Sequence, residues 1–136
     1  MSRYCIDTSA YSRFKRGAAE VSALLDRAEW IGVPAIVLGE LRAGFRQGSH
    51  RARNEQELET FLANPAVEVI AVDGDVSEHY ADIVVDLRKH GTPLPTNDIW
   101  IAASAARAGA MLLSFDDHFN AISRVGSLVL ESNTTD

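Results

Sequence analysis

Arg3-Tyr4-Cys5-Ile6-Asp7-Thr8-Ser9 is the stretch of sequence that decides the fold. Arg3 to Ile6 predicts a short β-strand, and the polar residues Asp7-Thr8-Ser9 that follow are the kind that cap a helix. A strand that passes directly into a helix is the repeating unit of a parallel sheet. The rest of the chain repeats this alternation.

Hydrophobic periodicity and turn residues predict the remaining elements. The clearest helix spans Asp75 to His90, where Asp75 and Glu78 have the spacing of a capping box and Gly91 ends the helix. The pattern predicts an α/β fold with a mainly parallel sheet of four to five strands, covered by helices on both faces. The predicted strands are Arg3–Ile6, Trp30–Val33, Val67–Val72, Met111–Leu113 and Ser127–Leu130, and the helices are Ser9–Lys15, Ala19–Glu29, Ala35–Phe45, His50–Leu62, Asp75–His90 and Thr96–Ala108.

Length and composition are those of an ordinary globular domain. The chain has 136 residues, 46% of them hydrophobic and 24% charged. We predict a single domain over residues 1–131, followed by a short flexible C-terminal tail, 132–136. No apolar run approaches the ~20 residues that span a bilayer, and no secretory signal is recognisable. The single cysteine, Cys5, excludes an internal disulfide, so we expect a cytoplasmic protein in which Cys5 is a buried strand residue.

The net charge of −6 weighs against a nucleic-acid partner, but the charges are unevenly distributed. Tyr11 to Ala18 and Leu41 to Asn54 contain basic residues and no acid. These segments are either ordinary solvated helix faces or a path for phosphate groups. Charge alone leaves both interpretations open.

Four acidic residues fall at equivalent places in the predicted pattern. Asp7 follows the first strand, Glu40 lies early in the helix after the second, Asp98 is in the first turn of the helix opened by Thr96-Asn97, and Asp116 follows the fourth strand. Parallel strands bring these segments to one edge of the sheet, where reactive groups of such folds gather.

Carboxylates that converge repel one another unless a cation joins them. Oxygen ligands suit Mg²⁺ or Mn²⁺, and such a metal can activate water against a phosphodiester. Each acid alone also has a structural explanation. Asp7 and Asp98 suit helix starts, Asp116 and Asp117 suit a turn, and Glu40 stands in an apolar context where an unpaired carboxylate is costly.

At these residues the sequence resembles the PIN-domain family, and within it the VapC-type toxins. The resemblance covers nearly the whole chain, in family order and at family-like separations. The motifs are Ile6-Asp7-Thr8-Ser9, Leu38-Gly39-Glu40-Leu41 with Gly44, Thr96-Asn97-Asp98-Ile99-Trp100-Ile101-Ala102-Ala103, and Leu112-Leu113-Ser114-Phe115-Asp116-Asp117-His118-Phe119.

The resemblance implies a PIN-like three-layer α/β/α sandwich and an endoribonuclease that depends on Mg²⁺ or Mn²⁺. Its catalytic and metal-binding residues would be Asp7, Glu40, Asp98 and Asp116, with Ser9, Thr96, Ser114 and Asp117 in support. His118 could approach the site, although we expect it, like the surface residues His50, His79 and His90, to have a structural role.

The family also implies a homodimer that is inhibited by a VapB-type antitoxin and acts on structured RNA, either tRNA or rRNA. We hypothesise that basic residues after two of the acidic positions guide RNA phosphates toward the acids. They are Arg13, Lys15, Arg16, Arg42 and Arg46.

Three alternatives remain at this point. A phosphoryl-accepting receiver-like domain also gathers acids around Mg²⁺, but it typically has paired acids after the first strand and a late lysine, whereas Asp7 stands alone. A catalytically silent PIN-like module could bind RNA or protein without cutting it. A nuclease acting on DNA would need the same acids, because only contacts to the 2′-hydroxyl distinguish the two nucleic acids. The sequence leaves open the RNA target, the number of metal ions and whether Asp117 or His118 joins the site.

Overall fold

A computed structural model describes residues 2–131, and the predicted tail, 132–136, lies outside the described residues. Strands and helices alternate as the sequence predicts. The strands are β1 (Arg3–Ile6), β2 (Trp30–Pro34), β3 (Val67–Ile70), β4 (Met111–Ser114) and β5 (Ser127–Val129). The helices are α1 (Thr8–Lys15), α2 (Ala19–Arg27), α3 (Ala35–Gln47), α4 (Arg51–Leu62), α5 (Gly74–Lys89) and α6 (Thr96–Ala108), and a 3₁₀ helix spans Asp117–Ala121. None of the helices within residues 2–131 combines the length and apolarity that crossing a membrane requires.

The five strands form one sheet in the order β3-β2-β1-β4-β5, and every neighbouring pair is parallel. This confirms the predicted α/β class. In the central register, Cys5 of β1 lies opposite Gly32 of β2 on one side and Leu112 of β4 on the other. The chain builds outward from β1 to β3 in one direction and from β4 to β5 in the other. The strand order therefore reverses between β1 and β4, where ligands bind in open α/β sheets.

The helices cover the two faces of the sheet in separate groups. Because crossovers between parallel strands are right-handed in nearly all proteins, we expect α1, α2, α3 and α4 on one face of the sheet and α5 and α6 on the other. The packing agrees, since α1 contacts α2 and α3, α3 contacts α4, and α5 lies along α6. The structure is thus the predicted three-layer α/β/α sandwich.

The central strands form the core. Ile6, Val33, Leu112 and Leu113 are fully buried, and Cys5 is a buried free thiol, as expected, whose pKa is raised by burial. Position 32 in β2 has room only for glycine. A Cβ atom there would lie 2.4 Å from the Trp30 ring and 2.7 Å from the Ile70 side chain.

Two local predictions need correction. The predicted capping box at Asp75 and Glu78 is wrong, because α5 is capped two residues earlier by Asp73, whose carboxylate accepts a 2.9 Å hydrogen bond from the Val76 amide. Asp75 lies instead in the first turn and pairs with Arg107 at 3.2 Å. The third strand ends at Ile70 rather than Val72, because Ile70 is the last residue that pairs with β2.

Candidate active site

The candidate active site lies at the carboxyl edge of the sheet, between β1 and β4. The pairing of Ile6 with Leu113 places Asp7, the residue after β1, beside Ser114, the last residue of β4. The Asp7 amide continues the ladder by donating to the Leu113 carbonyl at 3.3 Å. Backbone register therefore joins two segments that are more than a hundred residues apart in sequence.

Asp7 is buried and fully engaged by hydrogen bonds. It caps α1, and one carboxylate oxygen accepts from the Ala10 amide at 2.8 Å. The hydroxyl of Ser9 donates to the same oxygen at 2.8 Å, and that of Ser114 donates to the other at 2.5 Å. Burial raises the pKa of Asp7, and the charge of Asp116 raises it further, whereas these hydrogen bonds act in the opposite direction. The carboxylate is consequently held in one orientation.

The two serines also fix the segment that carries Asp116. The Ser9 hydroxyl accepts a 2.9 Å hydrogen bond from the Phe115 amide, and the Ser114 hydroxyl accepts a 2.8 Å hydrogen bond from the Asp116 amide. Each serine thus connects Asp7 to the backbone that follows β4. Both residues, predicted to support the site, lie beside Asp7.

Asp98, Asp116 and His118 form a compact group. Each offers one ligand atom, and these atoms all lie within 4.8 Å of one another. The Nδ1 atom of His118 lies 3.2 Å from a carboxylate oxygen of Asp116 and 3.6 Å from one of Asp98. Burial, followed by the charge of Asp116, raises the pKa of Asp98, whereas the hydrogen bond from His118 acts in the opposite direction and the charge of Glu40 adds a smaller increase.

Glu40 is an electrostatic neighbour of Asp98 and accepts hydrogen bonds from two side chains. The Thr8 hydroxyl donates to one of its oxygens at 2.5 Å, and the Asn97 amide donates to the other at 3.3 Å. These bonds explain how a half-buried carboxylate is tolerated in an apolar stretch of α3. Thr8 and Asn97 were not singled out from the sequence, although each is the immediate neighbour of a predicted acid, Asp7 or Asp98.

The structure therefore brings the four predicted acids into one row. Asp116 is the electrostatic neighbour of both Asp7 and Asp98, and Asp98 is also the neighbour of Glu40. The compact group of ligand atoms includes Asp98 and Asp116 but neither Asp7 nor Glu40. His118, for which we expected a structural role, belongs to it instead.

Two other predicted supporting residues lie at the rim. Thr96 is exposed at the first position of α6, and Asp117 is exposed at the start of the 3₁₀ helix. Asp117 is not a member of the compact group. Of the two residues that the sequence left undecided, the structure places His118 against the acids.

The predicted basic residues divide according to their surroundings. Arg13 lies over the Phe115 ring at 5.4 Å and lines an open groove together with Ser9 and Asp116. Arg42 is paired with Glu55 at 2.7 Å and Glu59 at 3.1 Å, so it connects α3 to α4. The others lie farther along their helices, with Lys15 3.9 Å from Glu57 and both Arg16 and Arg46 exposed.

The donor set fits a divalent cation. Two carboxylate oxygens and an imidazole nitrogen face one another, and two further carboxylates lie alongside. Hard divalent ions such as Mg²⁺ and Mn²⁺ accept oxygen ligands, and Mn²⁺ also accepts imidazole. A bound cation would also relieve the repulsion that raises the pKa of Asp98.

The fold and the acids at the carboxyl edge of the sheet define a class of protein. It is a parallel α/β domain with an acidic site at the switch point between β1 and β4. Residues 4–125 match the family model described as PIN domain, and the chain belongs to that family.

Its relatives include ribonuclease VapC4 of Mycobacterium tuberculosis, 37% identical over 94 residues that cover 69% of this chain and 72% of the relative. Among solved structures, the VapBC-5 toxin–antitoxin system of M. tuberculosis is similar, with a TM-score of 0.76 and 26% identity over 96% of this chain and 100% of that one. The VapBC2 complex of Rickettsia felis, solved with a promoter DNA fragment, has the same fold, with a TM-score of 0.83 and 21% identity over 94% of this chain and 98% of that one.

The buried hydroxyl of Ser114 provides a first test of the site's construction. Ser114→Ala should lower the free energy of unfolding by about 1–3 kcal/mol in EDTA, because the Asp116 amide and an Asp7 oxygen each lose a partner. Ser104→Ala is a matched control. Ser104 is equally buried, but its hydroxyl donates only to the Trp100 carbonyl one turn earlier in α6. Urea unfolding of both variants measures the difference, and equal losses would contradict the role assigned to Ser114.

Proposed function

We propose that this chain is a metal-dependent endoribonuclease and the toxin component of a type II toxin–antitoxin pair. The observation that carries the proposal is the convergence of acids from four separate elements at the switch point of the sheet, with Asp98 and Asp116 facing His118. Membership of the PIN-domain family and the kinship with VapC ribonucleases support the same reaction.

In this proposal Asp7, Glu40, Asp98 and Asp116 form the catalytic acidic site that holds Mg²⁺ or Mn²⁺. The metal, when bound, supplies an activated water and polarises a phosphodiester oxygen. The chain's own part is to fix the acids in place. Ser9 and Ser114 orient Asp7, while Thr8 and Asn97 orient Glu40. Positioning of this kind supplies much of the catalysis in phosphoryl-transfer enzymes.

The proposed partners of this chain are inferred from those of its relatives. Solved neighbours are toxin–antitoxin complexes, which supports a VapB-type antitoxin as the inhibitor of this chain. A homodimer and a structured RNA substrate, either tRNA or rRNA, complete the proposal. Because such a toxin acts on cellular RNA, we also propose a cytoplasmic location for this chain.

We further propose that RNA phosphates approach along α1. The double variant Arg13→Glu/Arg16→Glu should reduce cleavage and make it less sensitive to salt, because each phosphate contact contributes to the salt slope. Arg13 lies on the groove beside Asp116, and Arg16 is exposed at the end of α1. The measurement is the initial rate of RNA cleavage over a series of salt concentrations.

The matched control is Arg88→Glu/Lys89→Glu, which makes the same charge change at the exposed end of α5, on the opposite face of the sheet. This control should keep most of the activity and the original salt slope. An equal loss in both double variants would mean that net charge alone governs RNA binding, and the path along α1 would be abandoned.

The experiment that tests the proposed activity is cleavage of total RNA by the purified, antitoxin-free protein with Mg²⁺ or Mn²⁺. We expect discrete fragments that disappear with EDTA and in Asp7→Asn, and mapping their ends would identify the target. Circular dichroism establishes that the variant is folded. Absence of cleavage by the folded wild-type protein would favour a catalytically silent RNA- or protein-binding module, and a parallel incubation with DNA tests the remaining alternative.

A further inference from the structure

His118 occupies a place that the acids alone do not explain. It is the second residue of the 3₁₀ helix, and its amide donates to an Asp116 carboxylate oxygen at 2.9 Å. The next residue, Phe119, is 1% exposed and anchors this turn in the core. From this anchored turn the imidazole lies against Asp98 and Asp116.

The separations around His118 are those of ligands sharing one ion. Neighbouring ligands of a six-coordinate ion with bonds of about 2.1 Å lie about 3.0 Å apart, and opposite ligands about 4.2 Å apart. The Nδ1 atom of His118 is 3.2 Å from Asp116 and 3.6 Å from Asp98, and both distances fall in this range. The same nitrogen of His118 thus faces both carboxylates.

We infer that His118 is a ligand of the same metal ion as Asp98 and Asp116, and that its nitrogen makes the site prefer Mn²⁺ to Mg²⁺. The inference rests on the proposed function only in needing a metal at this site. Mg²⁺ binds oxygen and keeps its waters, whereas first-row transition metals gain affinity from imidazole. His118 is thereby a determinant of metal specificity within the acidic site.

The imidazole of His118 would approach a bound ion from the solvent side of the site. Its side chain is 52% exposed, compared with 18% for Asp98. Asp7 is buried, and the hydrogen bonds from Ser9, Ala10 and Ser114 position this fourth acid beside the compact group. The compact group therefore combines one exposed ligand, His118, with the more buried carboxylate of Asp98 and with Asp116.

Pulsed electron paramagnetic resonance of bound Mn²⁺ tests the inference without relying on activity, because a coordinated imidazole nitrogen modulates the echo. We expect ¹⁴N modulation in the wild-type protein and its loss in His118→Ala. His118→Asn, which offers an amide oxygen instead, should also lack it. In both variants the affinity for Mn²⁺ should fall about tenfold or more, while that for Mg²⁺ changes by less than about threefold.

The control is His50→Ala, which removes an exposed histidine just before α4 and should keep both the modulation and the preference for Mn²⁺. Asp98→Asn should weaken Mn²⁺ binding strongly and so shows that the signal comes from this site. Mn²⁺ bound by the wild-type protein without nitrogen modulation, or modulation that persists in folded His118→Ala, would overturn the role of His118 alone. No Mn²⁺ binding at all would overturn the metal centre of the proposed function as well.

Discussion

Asp98→Asn should lower RNA cleavage about a thousand-fold or more while leaving the protein folded. A catalytic metal contributes several kcal/mol of transition-state stabilisation, and about 1.4 kcal/mol corresponds to a factor of ten in rate. The Asp98 side chain is only 18% exposed and belongs to the compact group with Asp116 and His118. An amide keeps its shape and removes the charge that holds the cation. Single-turnover cleavage with saturating metal measures the effect.

The same substitution should stabilise the metal-free protein. Burial and the charges of Asp116 and Glu40 raise the pKa of Asp98 in the folded state above the value of about 3.9 of the unfolded chain. The folded state therefore favours the protonated form. The contribution of Asp98 to stability is fully present below the unfolded pKa and is lost as pH rises through the folded pKa. At neutral pH in EDTA, Asp98→Asn lacks this penalty and should melt at a higher temperature than the wild-type protein.

Asp26→Asn serves as the control for both measurements. Asp26 is exposed on α2, away from the candidate site, and its substitution should change neither cleavage nor the melting temperature appreciably. Full activity of Asp98→Asn would remove Asp98 from the metal site. A large loss of stability in EDTA would show that the carboxylate is needed for folding and would contradict the electrostatic argument.

Phe119→Ala should lower the free energy of unfolding by about 3–5 kcal/mol, the range for truncation of a buried phenylalanine. Phe119 is 1% exposed and is among the largest fully buried side chains of residues 2–131. A loss of this size is a large part of the ~5–15 kcal/mol that stabilises a typical domain. Because Phe119 fixes the turn that carries His118, the surviving folded protein should also bind Mn²⁺ more weakly. Denaturant unfolding and Mn²⁺ titration of the same samples measure the two effects.

Two further variants serve as controls for the Phe119→Ala prediction. Phe119→Leu keeps most of the buried volume and should cost less than about 1.5 kcal/mol. Phe14→Ala truncates a partly buried ring on α1 that packs against Phe61 at 5.6 Å, and we expect a smaller loss with no change in Mn²⁺ affinity. Equal metal affinity in Phe119→Ala and the wild-type protein would separate the core around Phe119 from the geometry of His118.

Most of the fold could be predicted from local patterns. Apolar strand residues such as Ile6, Leu112 and Leu113 are followed by capping or turn residues, and this alternation is sufficient to indicate a parallel sheet. The positions of the four acids follow from the same argument, because parallel strands all end at one edge. Sequence reasoning therefore anticipated that Asp7 and Asp116 would be neighbours, although not which atoms would meet.

Local patterns were insufficient where two candidates stood close together. Asp73 and Asp75 both suit a helix start, and the cap was decided by the extended backbone of Asp73, with a ψ of −173°. His118 follows two aspartates in a stretch that indicated only a turn, and the 3₁₀ helix that directs its ring toward Asp98 was not predicted. The sequence around Arg42 did not indicate that Glu55 and Glu59 of α4 are its ion-pair partners.

The sequence by itself determined the parallel α/β layers, the single buried cysteine and the set of acids at one edge of the sheet. These features depend on hydrophobic periodicity and on residue types, both of which are local. The contacts between side chains follow only from the folded chain: Asp98 and Asp116 lie against His118, Glu40 accepts from Thr8 and Asn97, and Asp7 accepts from Ser114. Contacts of this kind depend on strand register and helix docking, which join residues far apart in the chain and are fixed only when the whole core is packed.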